Sequence, residues 1–382
     1  MLEAVNYLTL DDVEVAGLDV LVRSDLNVPL EDGGVADDFR IRAALPTLEA
    51  LVAEGARVTV CSHLGRPDGI DSTYSLRPVA RRMAELTEVR VVFGTQSTDG
   101  IAVLENTRFL PGETSNDPFT AHQLAAGHNL FVQDAFGSVH RAHSSTVGVA
   151  ERVKSVAGPL LDSELTALGR LLADPERPYV VVLGGAKVAD KLGVIRNLLP
   201  KVDRMLIGGG MCFTFLRAQG HEVGSSLVEE AMLETVGDLL GDDTDKIVLP
   251  TDVVTGDRFA EDAEVETTAV DAISADRVGL DIGPETASRF ADVIREAGSV
   301  FWNGPMGVFE WEPFRNGTET VAVAMGECPG FTVIGGGDSV AALRELGLEA
   351  SISHVSTGGG AGLELLEGRA LPGVAVLERW VT

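Results

Sequence analysis

Short, unbroken apolar runs set the first limit on what this chain can fold into. Tyr179 to Leu183 reads YVVVL, Met205 to Ile207 reads MLI and Val300 to Trp302 reads VFW, each followed by a polar or glycine-rich loop and then a helical pattern. A strand with one wet face alternates apolar and polar residues, so a strand that is apolar throughout must be covered on both faces. In the first half strands are expected near Leu18 to Val22, Arg57 to Cys61, Ile101 to Leu104 and Leu130 to Val132, with helices from Arg40 to Gly55 and Leu76 to Leu86. In the second half strands are expected near Tyr179 to Leu183, Met205 to Ile207, Lys246 to Leu249, Val300 to Trp302, Thr332 to Ile334 and Ser353 to Val355. Alternation of such strands with helices predicts an α/β protein whose parallel sheets are doubly wound.

At 382 residues the chain exceeds what one hydrophobic core supports, which predicts two domains. A helical stretch from Pro159 to Ala173 ends at DPERP, where Pro175 and Pro178 forbid continuation, and this segment (159–174) reads as the connector. The first domain is then 1–158 and the second 175–370. No apolar run approaches the roughly 18 residues of a membrane span, and the opening residues are acidic where a signal peptide is basic, so a cytoplasmic location is expected. Cys61, Cys212 and Cys328 are widely spaced and form no CxxC pair, which argues against a disulfide framework or a zinc site. Cys61 and Cys212 are expected to be buried apolar residues.

The 58 acidic and 30 basic residues leave a net charge of −28, which repels nucleic acid and anionic membranes. Only five lysines occur, Lys154, Lys187, Lys191, Lys201 and Lys246. Abundant carboxylates with few lysines suggest a solvated surface adapted to molar salt.

Ligands of open α/β sheets bind beyond the carboxyl ends of the strands, so the residues there carry the chemistry. In the first half they are basic: Arg23 in VRSDLNVP, His63 and Arg66 in CSHLGRP, Arg108 in LENTRF, and His140 and Arg141 in DAFGSVHRAHSS, with Arg40 behind Asp37 and Asp38. One such arginine is ordinarily a surface ion pair, but recurrence after four strands points to a small, highly anionic ligand, because guanidinium forks match carboxylate and phosphate oxygens. Asp25 and Asn27 either bond hydroxyls of that ligand or shape the turn.

In the second half the strand ends are glycine-rich: LGGAK, IGGGM, NGPMGVFE, IGGGDS and STGGGAG. Bare backbone N–H groups before a helix hold phosphate, and five such loops in one domain point to a nucleotide site. None matches GxxxxGK[ST], which excludes a P-loop, and the run Gly358 to Gly362 fits GxGxxG poorly. Val188, Leu192, Ile195 and Leu199 share one helical face, so a helix is expected from about Val188 until Pro200 stops it. Lys187 and Lys191 would then stand one turn apart at a helix end that disfavours cations unless an anion intervenes.

The stretches SDLNVP, SHLGRP, LENTRF, DAFGSVHRAHSS, LGGAKVADK, IGGGM, LDIGPET, WNGPMGVFE, GGGDS and SHVSTGGG occur in the order found in the phosphoglycerate kinase family, which the chain resembles over essentially its whole length. The resemblance implies two Rossmann-like domains joined by the connector helix and a hinge, with a tail (371–382) returning to the first. It implies reversible phosphoryl transfer between MgATP and 3-phosphoglycerate, giving ADP and 1,3-bisphosphoglycerate, by a monomer with Mg²⁺ as cofactor.

Motif by motif, it implies that Asp25, Asn27, Arg40, His63, Gly65, Arg66, Arg108 and Arg141 hold the phosphoglycerate, with Arg23 and His140 beside them. Arg40, Lys187, Gly336 and Gly358 would serve the transferring group. Gly185, Ala186, Gly209 and Gly210 would border the adenine, Lys191 and Asn303 the phosphates, Pro305 and Val308 the nucleoside, and Glu310 the ribose hydroxyls. Asp338 would take Mg²⁺ beside Gly335, Gly336, Gly337 and Ser339, and Gly358 and Gly359 would offer N–H groups. Ser24, Leu26, Ser163 and Gly362 depart from the family pattern, and SADRVGLDIGP lacks the aromatic residue usual before its glycine, which leaves one wall of the adenine pocket open near Val278 to Leu280.

A carboxylate acceptor is already ionised at neutral pH, so transfer to it needs no general base, only positioning and neutralisation of charge. Substrates held on two domains imply hinge closure, which also excludes water. A noncatalytic two-domain anion-binding protein is the alternative, but a sensor of phosphoglycerate alone needs neither Lys187 nor Asp338. A nicotinamide dehydrogenase would require GxGxxG after the first strand of its cofactor domain.

Overall fold

The computed structural model describes residues 6–95, 99–242 and 245–381. The chain divides into two compact units, Met1–Thr166 with Arg369–Thr382, and Ala167–Gly368.

The first unit runs β1 (Asp19–Arg23), β2 (Leu30–Glu31), β3 (Gly34–Val35), α1 (Phe39–Ala53), β4 (Arg57–Cys61), α2 (Arg77–Leu86), β5 (Val91–Phe93), β6 (Ile101–Val103), α3 (Pro118–Ala125), β7 (Leu130–Gln133) and β8 (Lys154–Ala157), and enters α4 (Pro159–Ala173). Six strands form a parallel sheet in the order β5-β6-β4-β1-β7-β8. Val20, Val22, Val58, Val60 and Val132 of the central strands are fully buried, as two-sided cover requires. Helix starts follow from local chemistry. Asp117 accepts bonds from the N–H groups of Phe119 and Thr120, with Pro118 supplying the first helical residue of α3. Asp134, at the end of β7, accepts from Leu160 N at 2.8 Å and Leu161 N at 3.3 Å and so caps α4 from a distance.

The second unit continues with β9 (Tyr179–Leu183), α5 (Leu192–Leu198), β10 (Arg204–Ile207), α6 (Cys212–Ala218), α7 (Leu233–Asp242), β11 (Ile247–Val248), β12 (Asp252–Gly256), β13 (Val265–Ala269), β14 (Val278–Ile282), α8 (Pro284–Arg295), β15 (Ser299–Asn303), α9 (Asn316–Glu327), β16 (Phe331–Gly335), α10 (Gly337–Glu345), β17 (His354–Val355) and α11 (Gly360–Leu366). Its parallel sheet has the order β11-β10-β9-β15-β16-β17. Trp302, Phe290 and Val182 are fully buried in its core. The short helix α12 (Pro372–Ala375) belongs to the first unit, where Gly373 N donates to Val139 O at 2.8 Å and Trp380 Nε1 donates to Ala150 O at 2.8 Å.

Both halves therefore hold a Rossmann-like parallel sheet, and the differences from the sequence reading are local. Strands β5 and β8 are additional: β5 (VVF) is a half-buried run of only three residues that the sequence reading passed over, and β8 opens on an exposed lysine. A separate antiparallel sheet, β13-β12-β14, also escapes the sequence reading: β13 (VETTA) lies almost wholly at the surface and carries no core signal, while β12 and β14 are mostly buried strands interrupted by Asp, Thr and Gly. The helix expected from Val188 begins only at Leu192, and Lys191 is its N-cap. Residues 188–191 form a turn closed by Lys191 N donating to Val188 O at 2.9 Å, so Lys187 stands outside the helix and the expected one-turn stacking of the lysines does not occur. Cys61, Cys212 and Cys328 are free and buried.

Candidate active site

Each parallel sheet reverses its strand order beside its central strand, and that is where an α/β crevice opens. In the first sheet β1 lies between β4 and β7, so the loops after β1 and β7 diverge. Arg23 ends β1 and is only 1% exposed. All five of its N–H groups are engaged: Nε with Ser145 Oγ at 3.0 Å, Nη1 with Ser24 O at 2.5 Å and Ser62 Oγ at 3.4 Å, and Nη2 with His63 Nδ1 at 3.0 Å and Ser138 Oγ at 3.3 Å. Arg23 thus lies beneath the surface of the cluster, where it holds His63 and supplies charge.

Around it stand the other basic residues. Arg40 Nη1 bonds Asp25 Oδ1 at 3.1 Å and Asn27 O at 2.9 Å, while Asn27 N donates to Asp25 Oδ1 at 3.1 Å. Asp25 and Asn27 therefore shape the loop and aim Arg40. Gly65 N donates to Asn27 Oδ1 at 2.8 Å and Arg108 Nη1 donates to Gly65 O at 2.5 Å, which ties three loops together. A side chain at Gly65, whose φ is +61°, would strike the Tyr74 ring. Arg141 Nε donates to His140 Nε2 at 3.0 Å, and Arg66 is exposed.

Positive charge is concentrated here, and the titrating groups register it. Burial, then Arg23, Arg108, Arg141 and Arg40, hold His63 well below the usual histidine range. Burial together with Arg108, Arg141 and Arg23 pushes His143 down to about 4. Arg108 is lowered by burial and by Arg141, Arg66 and Arg23. Such mutual repulsion is relieved by a bound polyanion.

Sequence reasoning overlooked three members of this cluster. His143 stands within DAFGSVHRAHSS, and Ser145 Oγ donates to the buried Glu113 at 2.6 Å, with Ser145 N donating to the other Glu113 oxygen at 3.0 Å. Glu113, 1% exposed, is the buried counter-charge of Arg23, relayed through Ser145. The acid that follows LENTRF was its only trace in the sequence.

In the second sheet β9 lies between β10 and β15, and the loops after β9 and β15 diverge. Lys191 Nζ, on the first loop, donates to Asn303 Oδ1 at the end of β15. Burial lowers Lys191 to about 8, opposed by Asp190 and Asp338. Lys187 and Ala186 are exposed, as are Gly337, Asp338 and Glu310. Ser339 is fully buried and its Oγ accepts from Gly304 N at 2.7 Å, so it fixes loop geometry.

The glycine loops form one knot. Gly185 N donates to Pro305 O at 2.8 Å, Gly209 N to Met306 O at 2.9 Å, Met211 N to Gly185 O at 3.0 Å, and Val308 N to Leu280 O at 2.8 Å. Gly209 has φ +64°, and a Cβ there would lie 2.5 Å from Gly185 N, so only glycine fits. A Cβ on Gly336 (φ +94°) would lie 2.9 Å from Asn303 Nδ2, and Gly335 packs on the same amide. Gly358 N donates to Ser356 Oγ at 3.2 Å, whereas Gly359, the N-cap of α11, and Gly360, its first residue, border open space. Where an aromatic residue was missing before Gly279, Phe213 packs its ring onto that glycine. Leu227, 45% exposed, approaches within 3.6 Å of a Cβ built on Gly210, an exposed apolar wall that the sequence reading did not single out.

Among the described residues no group of three His, Cys, Asp or Glu side chains could cage a metal, and no helix is long and apolar enough to cross a membrane.

The family model for phosphoglycerate kinase matches residues 10–369. Phosphoglycerate kinase of Salinispora tropica is 57% identical, over 97% of this chain and 99% of that protein, and that of Rubrobacter xylanophilus is 53% identical, over 96% and 97%. Among solved structures, phosphoglycerate kinase from Coxiella burnetii superposes with a TM-score of 0.91 at 38% identity, over 99% of this chain and 100% of that one. The crystal structure of the Pyrococcus horikoshii enzyme does so with a TM-score of 0.85 at 29% identity, over 98% and 100%. Whole-length agreement of sequence and fold, on a basic strand-end cluster in one unit and a glycine-rich one in the other, places the chain in the phosphoglycerate kinase family, a phosphotransferase family.

Proposed function

We propose that this chain exchanges a phosphoryl group between MgATP and 3-phosphoglycerate, with the phosphoglycerate on the first unit and the nucleotide on the second. The observation that carries this assignment is the Lys191–Asn303 bond across the β9/β15 divergence, beside the exposed Lys187. It leaves one half-buried and one exposed cation among glycine loops suited to phosphate.

His63, Arg66, Arg108, His140 and Arg141 would bind the anionic ends of phosphoglycerate, with Arg23 orienting His63 from below. Arg40, held by Asp25 and Asn27, has only one guanidinium nitrogen committed to those partners and can turn the others to the migrating group. Lys191 and Asn303 would hold nucleotide phosphates, and Lys187 would meet the charge that grows on the equatorial oxygens. Gly336, Gly337, Gly358 and Gly359 would add backbone N–H groups. Gly185, Ala186, Gly209, Gly210 and Leu227 would border the base, Pro305 and Val308 the nucleoside, and Glu310 the ribose.

An exposed carboxylate, Asp338 at the start of α10, fits Mg²⁺ that arrives with phosphates and keeps its water, not a metal held by a protein cage. When bound, the ion would neutralise phosphate charge. The carboxylate of phosphoglycerate attacks already ionised, so no residue need take its proton. Transfer between ligands on separate units calls for closure about α4, and unchanged small-angle scattering on adding both substrates would count against it. We also assign the enzyme to the cytoplasm, as a monomer, without nucleic acid or membrane partners.

A coupled assay with MgATP and 3-phosphoglycerate tests the reaction, and Lys187→Ala tests the site. The variant should lower kcat about 10²- to 10³-fold with a smaller change in nucleotide affinity. An unaltered kcat would remove Lys187 from the chemistry.

A further inference from the structure

The loop that carries Lys187 is held by a side chain from a different part of the second unit. Glu229 lies just ahead of α7 and is half-buried. Its Oε2 accepts from Val188 N and also, at 3.4 Å, from Ala189 N. These are the two N–H groups immediately after Lys187. The loop precedes α5 without belonging to it, so no helical hydrogen bond fixes it there. Val188 is fully buried, and without Glu229 its N–H would be left with no acceptor.

Glu229 is itself firmly placed. Its N–H donates to Thr214 Oγ1 of α6 at 3.1 Å, and its carbonyl accepts from Met232 N at 2.8 Å. The segment leading to it is pinned at Ser225, whose N–H donates to Arg277 O at 2.7 Å, and at Ser226, whose Oγ accepts from Gly279 N at 2.9 Å. Between these anchors and Glu229 lies Leu227, the exposed wall beside Gly210. One short segment thus joins β14, the border of the base pocket and the lysine loop.

We propose that Glu229 is a positioning residue for phosphoryl transfer, a carboxylate clamp that fixes the backbone after Lys187 so that its ammonium group meets the migrating phosphoryl. This rests on the role assigned to Lys187 above. Both N–H groups converge on a single oxygen, so an amide oxygen in its place can accept the same bonds, whereas a methyl group cannot.

The test compares Glu229→Ala, Glu229→Gln, Lys187→Ala and the double variant Glu229→Ala/Lys187→Ala by steady-state kinetics with MgATP and 3-phosphoglycerate, with ADP affinity by calorimetry and folding by thermal melting. Glu229→Ala should lower kcat about 10- to 100-fold, the range expected when a buried N–H group loses its acceptor. ADP affinity should stay within about threefold, and Glu229→Gln should restore kcat to within about threefold of the parent. In the Lys187→Ala background Glu229→Ala should cost less than about twofold, because residues that act through one another are not additive. Equal losses in both backgrounds, equal losses for the Gln and Ala variants, or an unchanged kcat in Glu229→Ala would overturn the clamp while leaving Lys187 in place. An unchanged kcat in Lys187→Ala would overturn the parent assignment. If Glu229→Ala does not fold, the glutamine variant still decides the matter, since a kcat loss of tenfold or more there refutes the clamp and near-parental kcat supports it.

Discussion

Nη2 of Arg23 lies 3.0 Å from Nδ1 of His63, and an arginine can only donate. Nδ1 of His63 therefore accepts, and the neutral ring carries its proton on Nε2. Buried among cations, the ring remains neutral where an ordinary histidine titrates. The fixed tautomer leaves one N–H as its remaining donor. Nitrogen-15 spectra of the free enzyme should show Nδ1 without a proton across pH 6 to 8 and no midpoint near the ordinary value of about 6.5. His63→Phe, which cannot donate, should weaken phosphoglycerate binding about tenfold, the loss expected for a bond to a charged ligand.

His143 makes folding sensitive to acid. Its folded value, about 4, lies below the unfolded value of about 6.5, so between these pH values the unfolded chain binds the extra proton. The stability it contributes is present above pH 6.5 and is lost as pH falls towards 4. His143→Gln should flatten the fall in melting temperature over that window, by on the order of 1 kcal/mol after solvent screening of a half-buried ring.

Lys191 predicts a pH limit on nucleotide binding. Its free value is about 8, so ADP affinity should hold from pH 7 to 8 and decline above it as the ammonium loses its proton. Calorimetry should show that decline in the parent. Lys191→Met should bind ADP about tenfold or more weakly at pH 7 and show little of the pH dependence, since loss of a buried charged contact costs about 2 kcal/mol or more.

Gly209→Ala tests the backbone knot. The new Cβ would lie 2.5 Å from Gly185 N and 2.8 Å from Pro305 O, at φ +64°. Strain and overpacking together should cost about 2 to 4 kcal/mol. Melting temperature and ADP affinity should both fall, while phosphoglycerate binding, which we propose for the other unit, should persist.

Adaptation to salt is a proposal that unfolding experiments can decide. At a net charge of −28, screening of like charges should raise the unfolding midpoint as KCl rises from dilute buffer to about 1 M, where the Debye length is about 3 Å. The Michaelis constants for both polyanionic substrates should be larger at low salt. A protein most stable in dilute buffer would rule the adaptation out.

Much of the architecture was legible because it is written in local periodicity. Apolar runs such as YVVVL and helices ended by proline are read within a few residues, and the strand-end rule then brings Arg23, His63, Arg108, Lys187 and Asn303 into view. Strand β13 was not legible, because a surface strand buries nothing that the pattern could report. The start of α5 was misread because Val188 is buried in a turn and mimics one face of a helix.

The sequence could indicate which residue types gather at the strand ends, but not what each one bonds. Arg23 meets Ser145 across 122 residues, Lys191 meets Asn303 across 112, and Glu229 meets Val188 across 41. The first two pairings arise only when β1 aligns with β7 and β9 with β15, in registers that set Arg23 opposite Gln133 and Leu183 opposite Asn303, and the third when Thr214 of α6 and Gly279 of β14 hold the segment that carries Glu229. Composition and spacing are properties of neighbours along the chain, whereas a hydrogen bond depends on atoms that folding brings together. Tertiary packing thus assigned Arg23 to the interior, gave His63 its tautomer and placed Glu229 behind Lys187.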